Sequence, residues 1–352
     1  LYYNSEPVQP LIPDQKGELF ERHLALDFKR KSNLRLVFSN LPGMVASRRT
    51  TEYLQQIRTW TNNKKYDVAI INHLRMGFCM EALPDTVKTI YASHNAEYLL
   101  SLNNYRNERN ALKKLVYAWD AFRTRRFEKK LLEGIDACTA ICEFDLEYLR
   151  GINGVSTSLL RPVLSGGEAG VNSKQEFLKN LRKLIVVGSF TWGPKAENIR
   201  SLVRAYDENN MDSKGFELHV VGRIEDELAK QLKNMCPAVH ISGQVVDLEK
   251  YYSKCSVALI PEVMGGGFKL KVAEAGMYKK AIFSVKGAIT KSNLKPNIHF
   301  TESKNLDELM NNLIDKEKKP NELWKMAELA HEKVNEEYTQ EAISKELKPL
   351  LQ

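Results

Sequence analysis

"SVALIPEVMGGGFKLKVAEAG", residues 256–276, runs from an apolar stretch through three glycines into a segment of helical character carrying two lysines and a glutamate. A strand ends, glycines follow and a helix begins. Glycine lets backbone approach a ligand closely, and the unpaired amides at a helix start bind anions with help from the helix dipole. Lys269 and Lys271 fall in the first turn, where a cation opposes the dipole unless something anionic lies nearby. Glu274 follows Lys271 by three residues and so shares roughly its face. A plain glycine loop followed by an i,i+3 ion pair on a solvated helix explains the same letters.

Working outward, short β-branched runs alternate with longer stretches of helical period, the pattern of parallel sheets with crossover helices. The second half offers strands at 183–189, 216–222, 239–243, 256–261 and 281–285, with helices near 195–209, 225–235 and 269–279 and a short one from Asp247. The first half offers strands at 34–39, 67–72, 87–93 and 136–142, with helices around 48–62, 108–133 and 143–150; Glu97 begins another. Between the halves, "RPVLSGGEAGVNSKQEF" is rich in Gly, Ser and charge and marks a hinge. The expected fold class is α/β, two doubly wound parallel-sheet domains in tandem, with ligands at the carboxyl ends of the strands in a central cleft. The domains divide at 1–165 and 166–330, and 331–352 forms a closing helix that packs back toward the first.

The 352 residues are 43% apolar, enough for two sizeable cores. The longest apolar runs fall far short of the roughly 20 residues of a membrane-spanning helix. Five cysteines, scattered and without CxxC spacing, indicate neither a disulfide framework nor a zinc site, and fit a reducing cytoplasm. The net charge of +8 suits an anionic partner, phosphate or membrane; no nucleic-acid-binding motif accompanies it.

Four blocks, "VVGSFTWGPKAENIRSLVRAY" (186–206), "FELHVVGR" (216–223), "VHISGQVVDLEKYYSKCSVALIP" (239–261) and "GGGFKLKVAEAG" (265–276), together resemble the donor domain of GT-B glycosyltransferases, in particular the retaining enzymes of glycosyltransferase family 4. "YASHNAEY" (91–98) and "FEKKLLEGIDACTAICEFDLEYL" (127–149) look like the acceptor domain of the same enzymes. The resemblance covers residues 65 to 345 or so, and residues 1–33 do not match the opening strand and glycine loop of the family.

The resemblance implies roles position by position. Glu274 matches the second glutamate of the family's E-x7-E motif, which holds the nucleotide ribose. The first glutamate is replaced by Gly266, leaving Gly265, Gly266, Gly267 and Phe268 to contact the donor through backbone amides. An arginine that grips the diphosphate in many members is Ser189 here, so the cationic grip falls to Lys195, Lys269, Lys271 or Arg223; a helix-capping hydroxyl is the plainer role for Ser189 and a surface charge for Arg223. Gln244 and Val245 read the base edge, Asp247 caps the next helix, and Tyr251 and Tyr252 are core or cleft wall. His94 matches a histidine that touches the transferred sugar, with Asn95 on the acceptor side.

The implied activity is retaining, metal-independent transfer from a UDP- or GDP-linked sugar to a glycan or lipid-linked acceptor in surface polysaccharide or glycolipid synthesis. No cofactor or metal is expected, there being no DxD motif. The protein is expected in the cytoplasm. The basic amphipathic stretch 105–130 would suit peripheral contact with the inner face of the membrane, or equally a core-packed helix with a solvated face. Gly266 and Ser189 keep open a different class, a non-catalytic GT-B module that binds a partner glycosyltransferase or glycan.

Overall fold

The computed structural model describes residues 2–4, 25–27, 31–164, 173–262 and 268–351, in two compact units, Leu1–Leu159 and Leu160–Leu350. In chain order the first contains β1 (Tyr2–Asn4), β2 (Ala25–Asp27), α1 (Asn33–Val37), α2 (Gly43–Ala46), α3 (Thr51–Asn63) and β3 (Val68–Asn72). A 3-10 helix, Leu74–Ala82, precedes β4 (Lys88–Ala92), α4 (Glu97–Asn107), α5 (Ala111–Glu133), β5 (Ala137–Ala140), α6 (Glu143–Asn153) and β6 (Ser156–Leu159). β3 to β6 form a parallel sheet in sequential order, and β1 pairs with β2. The unit's core sets Ile71, Tyr91 and Cys138 of the strands against Leu131 and Leu132 of α5.

The second unit holds α7 (Lys174–Lys179), β7 (Lys183–Val187), α8 (Gly193–Glu208), β8 (Glu217–Val221), α9 (Asp226–Met235), β9 (His240–Gly243) and α10 (Glu249–Lys254). It continues with β10 (Val257–Ile260), α11 (Leu270–Met277), β11 (Ala281–Val285), β12 (Thr301–Ser303), α12 (Leu306–Glu317), α13 (Pro320–Tyr338) and α14 (Gln340–Leu351). Its six strands are parallel in the order β12-β11-β10-β7-β8-β9. Strand order reverses between β7 and β10, the doubly wound topology that sets helices on both faces of such a sheet. This explains why β10 and β11 are buried along their whole length and read as continuous apolar runs.

The expected strand at 34–39 is overturned: Asn33–Val37 is a helical turn. Among the described residues no strand pairs with it. Instead the Leu36 and Val37 carbonyls accept hydrogen bonds from the Arg123 guanidinium at 2.9 and 3.1 Å, and Trp119 Nε1 donates to Val37 at 3.1 Å. Four strands, β1, β2, β6 and β12, escape the sequence: all are three or four residues long, and β6 and β12 carry Ser, Thr or Glu where an apolar run would mark them. All five cysteines are buried as free thiols. No described helix is long and apolar enough to cross a membrane.

Candidate functional site

Open parallel sheets bind ligands beyond the carboxyl ends of their strands, at the point where strand order reverses. Lys271 occupies that point in the second unit. Its Nζ donates to the Val187 carbonyl at the end of β7, 3.3 Å away, and is ion-paired with Glu262 just past β10. Glu262 is buried, and its Oε2 has no hydrogen-bond partner among the described residues. The Lys271–Glu274 ion pair of the plainer reading is not formed: Lys271 pairs instead with Glu262, a residue that local spacing does not single out. Its one sequence signal is its place at the end of a buried strand.

Lys269 is the N-cap residue of α11, and its Nζ donates to the Ala288 carbonyl. Burial, reinforced by the Lys195 charge, holds its ammonium down to about 8. Burial and Lys195 also pull Lys271 down to about 7 against the opposing charge of Glu274, and the Glu262 carboxylate in contact with it favours the ionised pair. Lys195 stands exposed in the first turn of α8. The structure thus brings the three lysines into one electrostatic neighbourhood at a helix start that has no acidic residue in its first turn. Like charges so placed repel, and a bound anion relieves them.

One face of α11 carries Leu270, Glu274 and Tyr278 at four-residue spacing. It lines a cavity of about 440 Å³ with Asp247, Leu248 and Glu249. Small-molecule pockets span roughly 300–1,000 Å³. Burial raises the Glu274 carboxyl, with Lys271 opposing, and the side chain has no hydrogen-bond or ion-pair partner among the described residues. Tyr278 stacks on the buried Tyr252 ring, centroids 4.5 Å apart, so Tyr252 belongs to the wall and core as expected.

Gln244 is exposed, and Val245 packs on the core. Asp247 Oδ1 accepts from Lys250 N at a long 3.4 Å, a weak cap for α10. Arg223 is exposed at the end of β8, where its carbonyl accepts from Phe190 N at 2.7 Å. Ser189 does not cap α8, as the plainer reading had it: its hydroxyl pairs with Thr191 at 3.3 Å, and Trp192 occupies the cap position with no side-chain bond. The Phe268 ring stacks on Tyr338. Gly265, Gly266 and Gly267 lie outside the described residues.

In the first unit, His94 follows β4 and is exposed, its Nε2 2.6 Å from Asn72 Oδ1 at the end of β3. Its ring lies 5.2 Å from that of His73, a residue the sequence did not mark. His73 adopts φ +76°, uncommon for a non-glycine residue and found at functional sites. Its Nε2 is 3.3 Å from Glu97 Oε1 and 3.3 Å from the Arg75 guanidinium, and burial with nearby positive charge depresses it to about 3. Asn95 Nδ2 reaches Glu97 at 3.5 Å, and Glu97 begins α4, where its N–H donates to Glu128 Oε1 at 2.9 Å. Two neutral imidazoles, an amide and a guanidinium thus gather beyond β3 and β4.

Among curated proteins no sequence matches this one. Residues 182–315 match the family model of glycosyl transferases group 1. Among solved structures, sucrose-phosphate synthase from Thermosynechococcus elongatus superposes with a TM-score of 0.64 at 16% identity, covering 85% of this chain and 76% of that one. HepE from Anabaena, in complex with UDP, gives 0.63 at 10% identity, covering 93% and 85%. A glycosyltransferase from Rickettsia africae gives 0.60 at 13% identity, covering 93% and 84%. The second unit thus carries the glycosyl transferases group 1 pattern over residues 182–315, in a chain whose fold is that of the GT-B glycosyltransferases.

Proposed function

We propose that this chain is a glycosyltransferase that moves a sugar, with retention, from a nucleoside-diphosphate sugar to a hydroxyl of a glycan or lipid-linked acceptor, without a metal ion. The observation that carries the reading is the convergence of Lys195, Lys269 and Lys271 at the strand-order reversal, beside the cavity that Glu274 faces. The diphosphate rests against the lysines and the start of α11, and Glu274 accepts hydrogen bonds from the ribose hydroxyls. The base lies along Gln244 and Val245.

In the transfer step the bond from the anomeric carbon to the phosphate oxygen breaks. The bond to the acceptor oxygen forms on the same face, and the acceptor's proton passes to the departing phosphate oxygen. Charge grows on that phosphate as the bond breaks, so cations fixed beforehand lower the barrier. In the first unit, burial and Arg75 hold the His94 imidazole below its ordinary range, and its neutral form can hydrogen-bond a sugar hydroxyl. The nucleotide class suggested is UDP or GDP, and HepE in complex with UDP supports the first. Membrane-proximal acceptors are consistent with Leu112, Leu115, Trp119 and Phe122, which stand exposed among the basic residues of α5.

One observation favours the alternative of a non-catalytic module that binds a partner glycosyltransferase or glycan: Lys269 and Lys271 already have protein partners, Ala288 and Glu262. Thermal-shift titration with UDP, GDP and their sugars separates the two. The enzyme reading expects a rise in melting temperature with one nucleotide, independent of magnesium, and slow hydrolysis of its sugar. A folded protein indifferent to all of them would establish the module.

A further inference from the structure

At the opposite end of the second unit's sheet, three side chains form a ligand set that the transfer reaction does not use. Glu217 and His219 lie two residues apart on β8 and so share a face, and His240 of the edge strand β9 is the direct register partner of His219. The two imidazoles stack, centroids 4.7 Å apart and planes 14° apart. His219 Nε2 is buried and lies 3.5 Å from Glu217 Oε2, too far for a good hydrogen bond, and it has no other hydrogen-bond partner among the described residues. Potential ligand atoms of all three residues fall within 4.8 Å of one another.

We propose that Glu217, His219 and His240 bind a divalent transition-metal ion of the zinc class, clipping the edge strand β9 to β8. Bonds of about 2.1 Å in a tetrahedral centre set ligand atoms roughly 3.4 Å apart. The observed spacing closes to that by rotation of side chains, and Glu217 and His240 are both exposed. Two imidazoles and one carboxylate suit zinc, nickel or copper(II) and not magnesium or calcium, which take oxygen ligands. The stacked arrangement has a use for the ion: it gives His219 Nε2 a bonded partner where Glu217 approaches only to 3.5 Å.

Lys183, opposite Glu217 in the β7 register, is the nearby positive charge that the ion must tolerate. Three protein ligands leave a position for water. His219 precedes Gly222, at the carboxyl end of β8, by three residues, or about 10 Å along a strand. The ion therefore sits away from the reversal point and acts on the stability of the edge, not on the transferred sugar.

The test uses the full chain in metal-free buffer with zinc chloride alone, followed by calorimetry and thermal shift, and with copper(II) followed by electron paramagnetic resonance. Wild type should bind one zinc at this site with a rise in melting temperature, magnesium should have no effect, and the copper spectrum should show two imidazole nitrogens. Glu217→Gln and His240→Gln, both at exposed positions, should each weaken zinc binding at least about tenfold, and His240→Gln should leave one nitrogen in the spectrum. Their melting without metal reports that they fold. Zinc affinity within twofold of wild type in either folded variant, a two-nitrogen spectrum surviving in His240→Gln, or absence of zinc binding to wild type would overturn the site.

Discussion

Replacing Lys269 by methionine separates a binding lysine from a structural one, because the two roles predict opposite balances of stability and affinity. The fall of its ammonium from 10.5 to about 8 bounds the penalty for keeping it charged in the free protein at about 3 kcal/mol. Partial solvent exposure reduces that bound. Lys269→Met removes the penalty but strips the Ala288 carbonyl of its charged donor, a loss of about 1.5–3 kcal/mol. The two nearly cancel, so the free protein should melt within about 4 °C of wild type.

Nucleotide binding has no such cancellation. Loss of one charged hydrogen bond to a phosphate costs about 1.5–3 kcal/mol, or roughly 10- to 150-fold in affinity for UDP or GDP by calorimetry. The pH dependence has a definite sign. Because the folded value lies below the unfolded 10.5, the penalty is fully present below about 8 and fades as pH climbs toward 10.5, where the native state has shed a proton the unfolded chain still holds. Wild type should therefore gain stability relative to Lys269→Met across that window. Its nucleotide affinity should fall over the same range, since binding restores the proton. Affinity within twofold of wild type in the variant, or parallel pH profiles, would refute the placement of the diphosphate at Lys269.

Three further outcomes are expected. Glu274→Ala should weaken nucleoside diphosphate binding about 10- to 100-fold with little loss of stability, since the carboxylate has no protein partner to strand; calorimetry and melting curves check both. Burial raises Glu128 to about 7, so the first unit should lose stability as pH rises from 4.5 to 7, and Glu128→Gln should flatten that slope in thermal melts. Gly222→Ala should destabilise the second unit by more than about 3 kcal/mol in urea, because a Cβ there would sit 1.8 Å from the Gly188 carbonyl oxygen at a φ of +129°.

Much of the second unit was legible because its strands are buried on both faces. "LIVV" and "VALI" are too apolar to lie anywhere else, and glycines followed by Lys-x-Lys announce a helix start that wants an anion. Hydrophobic runs mark a strand without saying which strand lies beside it. That is why 34–39 misled: its apolar residues satisfy their carbonyls through Arg123 and Trp119, more than 80 residues away in the chain. Glu262 was invisible for the same reason, since its importance lies in facing Lys271 across the point where β7 and β10 part.

The sequence by itself determined the alternation of strand and helix, the two-sheet plan, the place of Lys269, Lys271 and His94 at helix or strand ends, and that of Glu274 one turn into the same helix. Those properties follow from local periodicity and turn chemistry, which operate over a few residues. Only the tertiary structure decided that Lys271 pairs with Glu262 and not Glu274, that Lys195 shares its field, that His73 stands by His94, and that His219 meets His240. Such pairings depend on strand order and register, which join residues distant in the chain and leave no local trace in it.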